Sequence, residues 1–187
     1  MKLKTTEDKG VFGMACLGDI LLVATHATQI DVYKMTETGN AKLGGIPNLK
    51  LPNISDLAAC RLTKRLYISD FDKFGVWMIT NPVSVAENNC SGPVAFERFA
   101  KVNKAQGLSV SAEGRVVVVT GMPYSIFVFL LDGKLDKHVD LTGTGIEDPY
   151  QAVLDLDYNF IVCSGLHTNQ RHSVSRISYS GKVQVRR

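Results

Sequence analysis

The sequence predicts an all-β fold, a β-propeller of about four four-stranded blades, and three observations carry that prediction. Apolar runs of strand character recur at residues 20–24, 66–70, 116–120 and 160–164, and their starts lie 46, 50 and 44 positions apart. That spacing falls in the window for repeats that each build one small sheet. Within every unit, Gly, Asn, Asp and Ser clusters separate shorter strand patterns at hairpin spacing. Helix signals are nearly absent, because no stretch joins apolar residues at i, i+3, i+4 and i+7 to caps at both ends.

The first unit reads as strands at 11–16, 20–24 and 30–35 with a weak outer strand over 42–51, turned by Gly18-Asp19 and Thr38-Gly39-Asn40. In the second, strands are expected at 56–62, 65–70 and 75–80 with an outer one near 94–99, and the insertion 81–93 accounts for the longer period. The third unit gives 107–111, 115–120, 126–131 and 135–141. Its Asp132-Gly133 step stands between apolar alternations, a strong short-range hairpin signal. The fourth gives 151–156, 160–164, 174–178 and 182–186, with turns at 157–159 and Ser180-Gly181. These units predict one domain over 1–187, with blades near 10–52, 53–102, 103–148 and 149–187.

The 187 residues are 45% hydrophobic and 21% charged, enough apolar material to bury a core and too little charge for disorder. A net charge of +3 is too weak by itself to imply nucleic acid. Arg171, Arg176, Lys182, Arg186 and Arg187 give the last unit a basic bias, which a solvated outer strand explains equally well. Cys16, Cys60, Cys90 and Cys163 show no CxxC spacing and no zinc-finger partners. The expectation is reduced thiols, buried at Cys16, Cys60 and Cys163 and exposed at Cys90 in the polar loop 87–93. No apolar stretch approaches the roughly 18 residues of a membrane helix, and the first residues lack a secretory core. A cytoplasmic chain with no membrane partner is expected.

Residues 65–79, with a strand ending in Asp70, a short polar loop and an alternating strand through Trp77, resemble the NHL repeat. Residues 107–118 are similar to the opening of that repeat, and 150–183 follow its layout. The matching strand-end positions in the other units hold Ala24, Thr120 and Ser164 instead of aspartate. The resemblance implies a propeller used as a binding scaffold for protein or RNA. It also implies a blade number more often of five or six, so either the chain is part of a larger propeller or copies associate through open blade edges.

In a propeller, loops joining the second and third strands of each blade share a face with the blade junctions. Here those loops bring Phe71, Phe74 and Tyr124 as apolar anchors, with Lys73, His167, Arg171 and His172 as a polar rim suited to a protein or acidic peptide. RNA is an alternative partner. A metal-dependent, lactonase-like hydrolase is a further alternative, for which Asp56, Asn103, Glu147 and Asp148 at blade junctions are the oxygen donors to consider. Those residue types also populate turns for their own hydrogen bonding, so neither cofactor nor metal nor catalytic residue is nominated. His167 and His172 are five apart rather than at i, i+4, Ser164-Gly165 lacks a nucleophile elbow, and Tyr67 and Trp77 occupy strand positions where aromatics fill space between sheets.

Overall fold

The computed structural model describes residues 10–25, 29–46, 49, 51–72, 75–87, 96–165 and 172–186. Among them lie four antiparallel sheets of four strands, each a meander in chain order. Sheet 1 holds β1 (Val11–Leu17), β2 (Ile20–Thr25), β3 (Gln29–Thr36) and β4 (Gly39–Ile46). Sheet 2 holds β5 (Ile54–Cys60), β6 (Arg65–Asp70), β7 (Gly75–Thr80) and β8 (Phe96–Lys101). Sheet 3 holds β9 (Ala105–Val110), β10 (Val116–Thr120), β11 (Ser125–Phe129) and β12 (Leu135–Asp140). Sheet 4 holds β13 (Pro149–Leu154), β14 (Phe160–Ser164), β15 (Ser173–Ile177) and β16 (Val183–Arg186). This is the four-bladed β-propeller class that the repeat predicts. The chain divides into two compact units, Met1–Lys101 with sheets 1 and 2 and Val102–Arg187 with sheets 3 and 4.

Two boundaries differ from expectation. A helix, α1 (Pro82–Glu87), stands in the insertion. Pro82 opens it, where a missing N–H removes no helical bond, and six residues are too few to register as a period. The outer strand of sheet 1 stops at Ile46, although Leu49 and Leu51 are buried and belong to the apolar core of unit 1. Their burial produced the apolar signal that read as strand.

Alternation along the strands builds the cores. In unit 1, Ala15, Leu17 and Leu22 of sheet 1 pack with Ile54, Leu57, Leu66 and Ile68 of sheet 2. In unit 2, Val117, Val119, Ile126 and Val128 of sheet 3 pack with Ala152, Phe160, Val162 and Ile177 of sheet 4. On β10 all four valines, 116 to 119, are 0% exposed, which is why the strand reads as an unbroken apolar run.

The inner strands approach so closely that glycine is required. A Cβ on Gly13 of β1 would sit 2.6 Å from the Leu57 amide nitrogen and 2.8 Å from the Asp56 Cα of β5. A Cβ on Gly107 of β9 would run into the Tyr150 carbonyl oxygen of β13. Unit 2 adds hydrogen bonds at this seam. Ser109 Oγ donates to the Ala152 carbonyl at 2.7 Å, and Gln151 Nε2 donates to that of Leu108 at 3.1 Å.

The hairpins between the first two strands of each sheet share one backbone device. Gly18, Lys64, Gly114 and Tyr158 all have positive φ, at 64°, 55°, 86° and 59°. They recur with the same 46, 50 and 44 spacing as the strands they introduce. In unit 2 these turns are also stitched by side chains. Arg115 Nε pairs with Asp136 Oδ2 at 3.0 Å, and its Nη1 donates to Tyr158 Oη at 3.2 Å. Tyr179 Oη donates to the same Asp136 oxygen at 2.7 Å, and its ring stacks on Phe160 at 5.5 Å. The Tyr179 hydrogen bond, followed by Arg115, holds the Asp136 carboxyl below its ordinary range. Burial, reinforced by Asp136, pushes the Tyr179 phenol up to about 12.

On sheet 1, the Asp31 carboxylate is 2% exposed and fully engaged. It accepts from Gln29 Nε2 at 2.8 Å and Tyr33 Oη at 3.4 Å and pairs with Lys42 Nζ at 2.9 Å. Cys60 is buried as expected, whereas Cys16 and Cys163 are half-buried. Cys90 lies outside the described residues.

Two outcomes follow from this packing. Gly107→Ala, which forces two inner strands apart, is expected to cost about 3 kcal/mol in chemical denaturation. Gly18→Ala, where nothing lies within 4 Å and only the positive φ is at stake, is expected to cost about 1 kcal/mol. Because the Tyr179 phenol is raised, the stability it contributes is complete below pH 10.0, the ordinary value, and is lost as pH climbs to about 12. Melting temperature followed from pH 9 to pH 12 should therefore fall less steeply in Tyr179→Phe than in the parent chain.

Candidate functional site

The loop that follows the second strand of each sheet begins from a buried, polar strand end. Asp70 closes β6 with 0% exposure, Thr120 closes β10 with 3% and Ser164 closes β14 with 2%. A carboxylate accepts only, and Asp70 takes the amides of Asn53 at 3.3 Å and Asp72 at 3.0 Å. Thr120 both donates and accepts: its Oγ1 donates to the Pro123 carbonyl at 2.9 Å and receives the Ser125 amide at 3.1 Å. Ser164 Oγ shares a 2.8 Å hydrogen bond with Ser173 Oγ across the mouth of its loop. Sheet 1 carries Ala24 at this position, buried and unable to make such a bond.

A backbone bond repeats beside each anchor. The first loop residue donates its N–H to the residue leading into the inner strand: Phe71 to Asn53 at 3.1 Å, Gly121 to Lys104 at 2.9 Å and Gly165 to Asp148 at 3.0 Å. Lys104 and Asp148 take positive φ, 50° and 49°, to present those carbonyls. Within each sheet, the junction and the loop that the sequence placed on one face are thus joined. All four inner strands also have register irregularities near this end, at Val11/Gly13, Ile54/Asp56, Pro149/Gln151 and opposite Val118/Thr120. Such bulges re-aim side chains at the rims of sheets.

The nominated residues fare unequally. In unit 1, Phe71 is half-buried at the head of its loop, beside exposed Asp72 and Asn53. In unit 2, His172 is exposed just before β15. Tyr124 is half-buried, and its ring packs on the core of sheets 3 and 4, so the apolar group that this loop offers to solvent is Met122, 67% exposed, next to exposed Pro123. Sequence reasoning missed Met122. The available signal was the position of Tyr124, directly before an inward-alternating strand. Lys73, Phe74, His167 and Arg171 lie outside the described residues. Of the terminal basic residues, Arg176 is engaged, with Asp155 at 3.0 Å and Asp157 at 3.3 Å.

Asp56 turns its Oδ1 onto the Leu57 amide at 2.8 Å. Asp148 is buried, and Asn103 and Glu147 are exposed. Among the described residues, no three His, Cys, Asp or Glu side chains gather as a cation site requires. Also among them, no helix is long and apolar enough to cross a membrane.

No protein-family model matches the chain, and neither does any curated protein sequence. Solved structures do match. Hydrazine synthase of Kuenenia stuttgartiensis is similar with a TM-score of 0.71 and 15% identity, over 99% of this chain and 51% of that one. Virginiamycin B lyase of Staphylococcus aureus is similar with a TM-score of 0.63 and 17% identity, over 96% of this chain and 56% of that one. A chain of a nidogen/laminin complex gives a TM-score of 0.56 and 12% identity, over 95% of this chain and 80% of that one. The chain spans about half the length of the first two. At these identities the likeness shows the propeller fold alone, on proteins that catalyse and on a protein that binds another.

Removing the buried acceptor of unit 1 tests how the loop is held. Asp70→Ala is expected to cost about 2–3 kcal/mol, because two amides lose a charged partner. It should also speed hydrogen exchange at the Asp72 amide. Asp70→Asn keeps one acceptor oxygen and should lose less by both measures.

Proposed function

We propose that this chain is an NHL-like interaction module that presents the loops after β6, β10 and β14 to a protein or acidic peptide. The observation that carries the reading is the contrast between base and tip of these loops. Their bases are fixed by Asp70, Thr120 and Ser164 and by the recurring backbone bonds. Their tips leave Asp72, Met122, Pro123 and His172 exposed, with Phe71 half-buried. A loop ordered before binding loses little conformational entropy when it binds, which favours recognition over a mobile loop of equal composition. By sequence, Lys73, Phe74, His167 and Arg171 belong to the same loops, and the three cations among them favour acidic partners.

Panning a peptide library rich in Asp and Glu tests this reading. Enriched peptides are expected to lose about tenfold in affinity with Phe71→Ala or Met122→Ala. They should bind normally to Leu62→Ala, which alters an exposed hairpin turn at the other end of sheet 2. Absence of any enriched peptide, or loss of binding with Leu62→Ala in place of Phe71→Ala, would overturn it. Salt-sensitive binding of single-stranded RNA through the same loops would favour the RNA reading instead.

A further inference from the structure

Exposed apolar side chains on the strands are not spread evenly. Among the described residues they fall on sheets 1 and 4, apart from Leu135 at the start of the outer strand β12. On β1, Val11, Phe12 and Met14 are 44%, 51% and 55% exposed. Gly13, Ala15 and Leu17 alternate with them and turn toward sheet 2, so Met14 and Cys16 belong to the other face of sheet 1. That face continues through Leu21, Val23, Tyr33 and Met35.

On sheet 4, Val153, Val174 and Val185 are 44%, 49% and 47% exposed. Register puts Val153, Ile161, Arg176 and Val185 in one cross-strand row, with Cys163 beside Val174. Ala152, Phe160, Val162 and Ile177 alternate with this set and pack on sheet 3, so the row lies on the face turned away from sheet 3. Sheets 2 and 3 carry no such set. Apolar sheet faces are stable only when covered.

We propose that the outward face of sheet 4 in one copy seats on the outward face of sheet 1 in a second copy, and reciprocally, giving a head-to-tail pair. Both ends of the stack carry the same feature, so two copies satisfy all four faces with no further partner. The solved propellers that match the chain over nearly its whole length are about twice as long, the amount of sheet that two copies supply. The size suffices. A face of four strands, each about five residues long, projects to about 300 Å². Four such faces hide on the order of 1,300 Å², within the range of stable interfaces. Pairing is through faces and not through strand edges, because the exposed side chains stand perpendicular to the sheets.

Sedimentation equilibrium of the full chain is expected to give twice its 20.5 kDa. Met14→Arg on sheet 1 and Val174→Asp on sheet 4 should each weaken association about 100-fold or more, since each places a charge in both copies of the interface. Mixing the two variants should restore the pair, because one of its two interfaces then combines unaltered faces. Circular dichroism and melting confirm that each variant folds, and Val11→Arg and Val153→Asp replace either one that does not. A parent chain that stays at 20.5 kDa up to about 1 mM overturns the proposal. So does a pair that survives Met14→Arg, or a mixture that stays dissociated.

Discussion

The approach of inner strand to inner strand is the constraint on which both units depend. Gly13 faces the backbone of β5, and Gly107 faces the backbone of β13. No other residue fits at either position without moving a backbone. Once these strands are in contact, the alternation of the remaining strands leaves one face of each sheet for its neighbour in the unit. The cores of unit 1 and unit 2 then follow from the same arithmetic of odd and even positions. Burial of Val116 through Val119 at 0% exposure shows how completely both sides of a middle strand are used. A β-branched run is well suited to that position, because it packs on a pleated surface from either face.

The two ends of the sheets divide the tasks of stability and recognition. At the hairpin ends, left-handed residues make tight turns, and in unit 2 the Arg115, Asp136, Tyr158 and Tyr179 side chains bind one sheet to the next. Those groups satisfy one another, which leaves little capacity for a ligand. At the loop ends the polar groups point inward and down, toward the base of each loop, so the tips are left to face solvent. Binding residues concentrate on loops carried by rigid scaffolds for this reason.

Much of the fold was legible because its signals are local and repeated. The four second strands were visible as apolar runs, and the left-handed residues that precede them keep the same spacing although only two of the four are glycine. The third strands followed from turn chemistry. Helix α1 was not legible, since a six-residue helix has no measurable period. The end of β4 was misjudged because burial of Leu49 and Leu51 mimics strand burial. For the candidate site, the sequence located the loops but not which side chain each would turn outward. Tyr124 and Met122 are two residues apart, and the choice between them is made by Val119, Ile126 and Leu141 in the core against which Tyr124 packs. That is tertiary information, with no trace in the loop itself.

Loss of the strand-end aspartate in three of four sheets changes more than a motif. Asp70 holds its loop as a buried anion surrounded by amides, so the field at that loop is negative from below. Thr120 and Ser164 hold theirs as neutral hydroxyls, with donors and acceptors balanced. Ala24 makes no side-chain anchor at all. Four loops of similar backbone origin therefore differ in charge and in restraint at their bases before any tip residue is considered. A repeat that began as one unit copied several times has in this way acquired loops that a single partner can tell apart, and the difference is written in residues that the partner never touches.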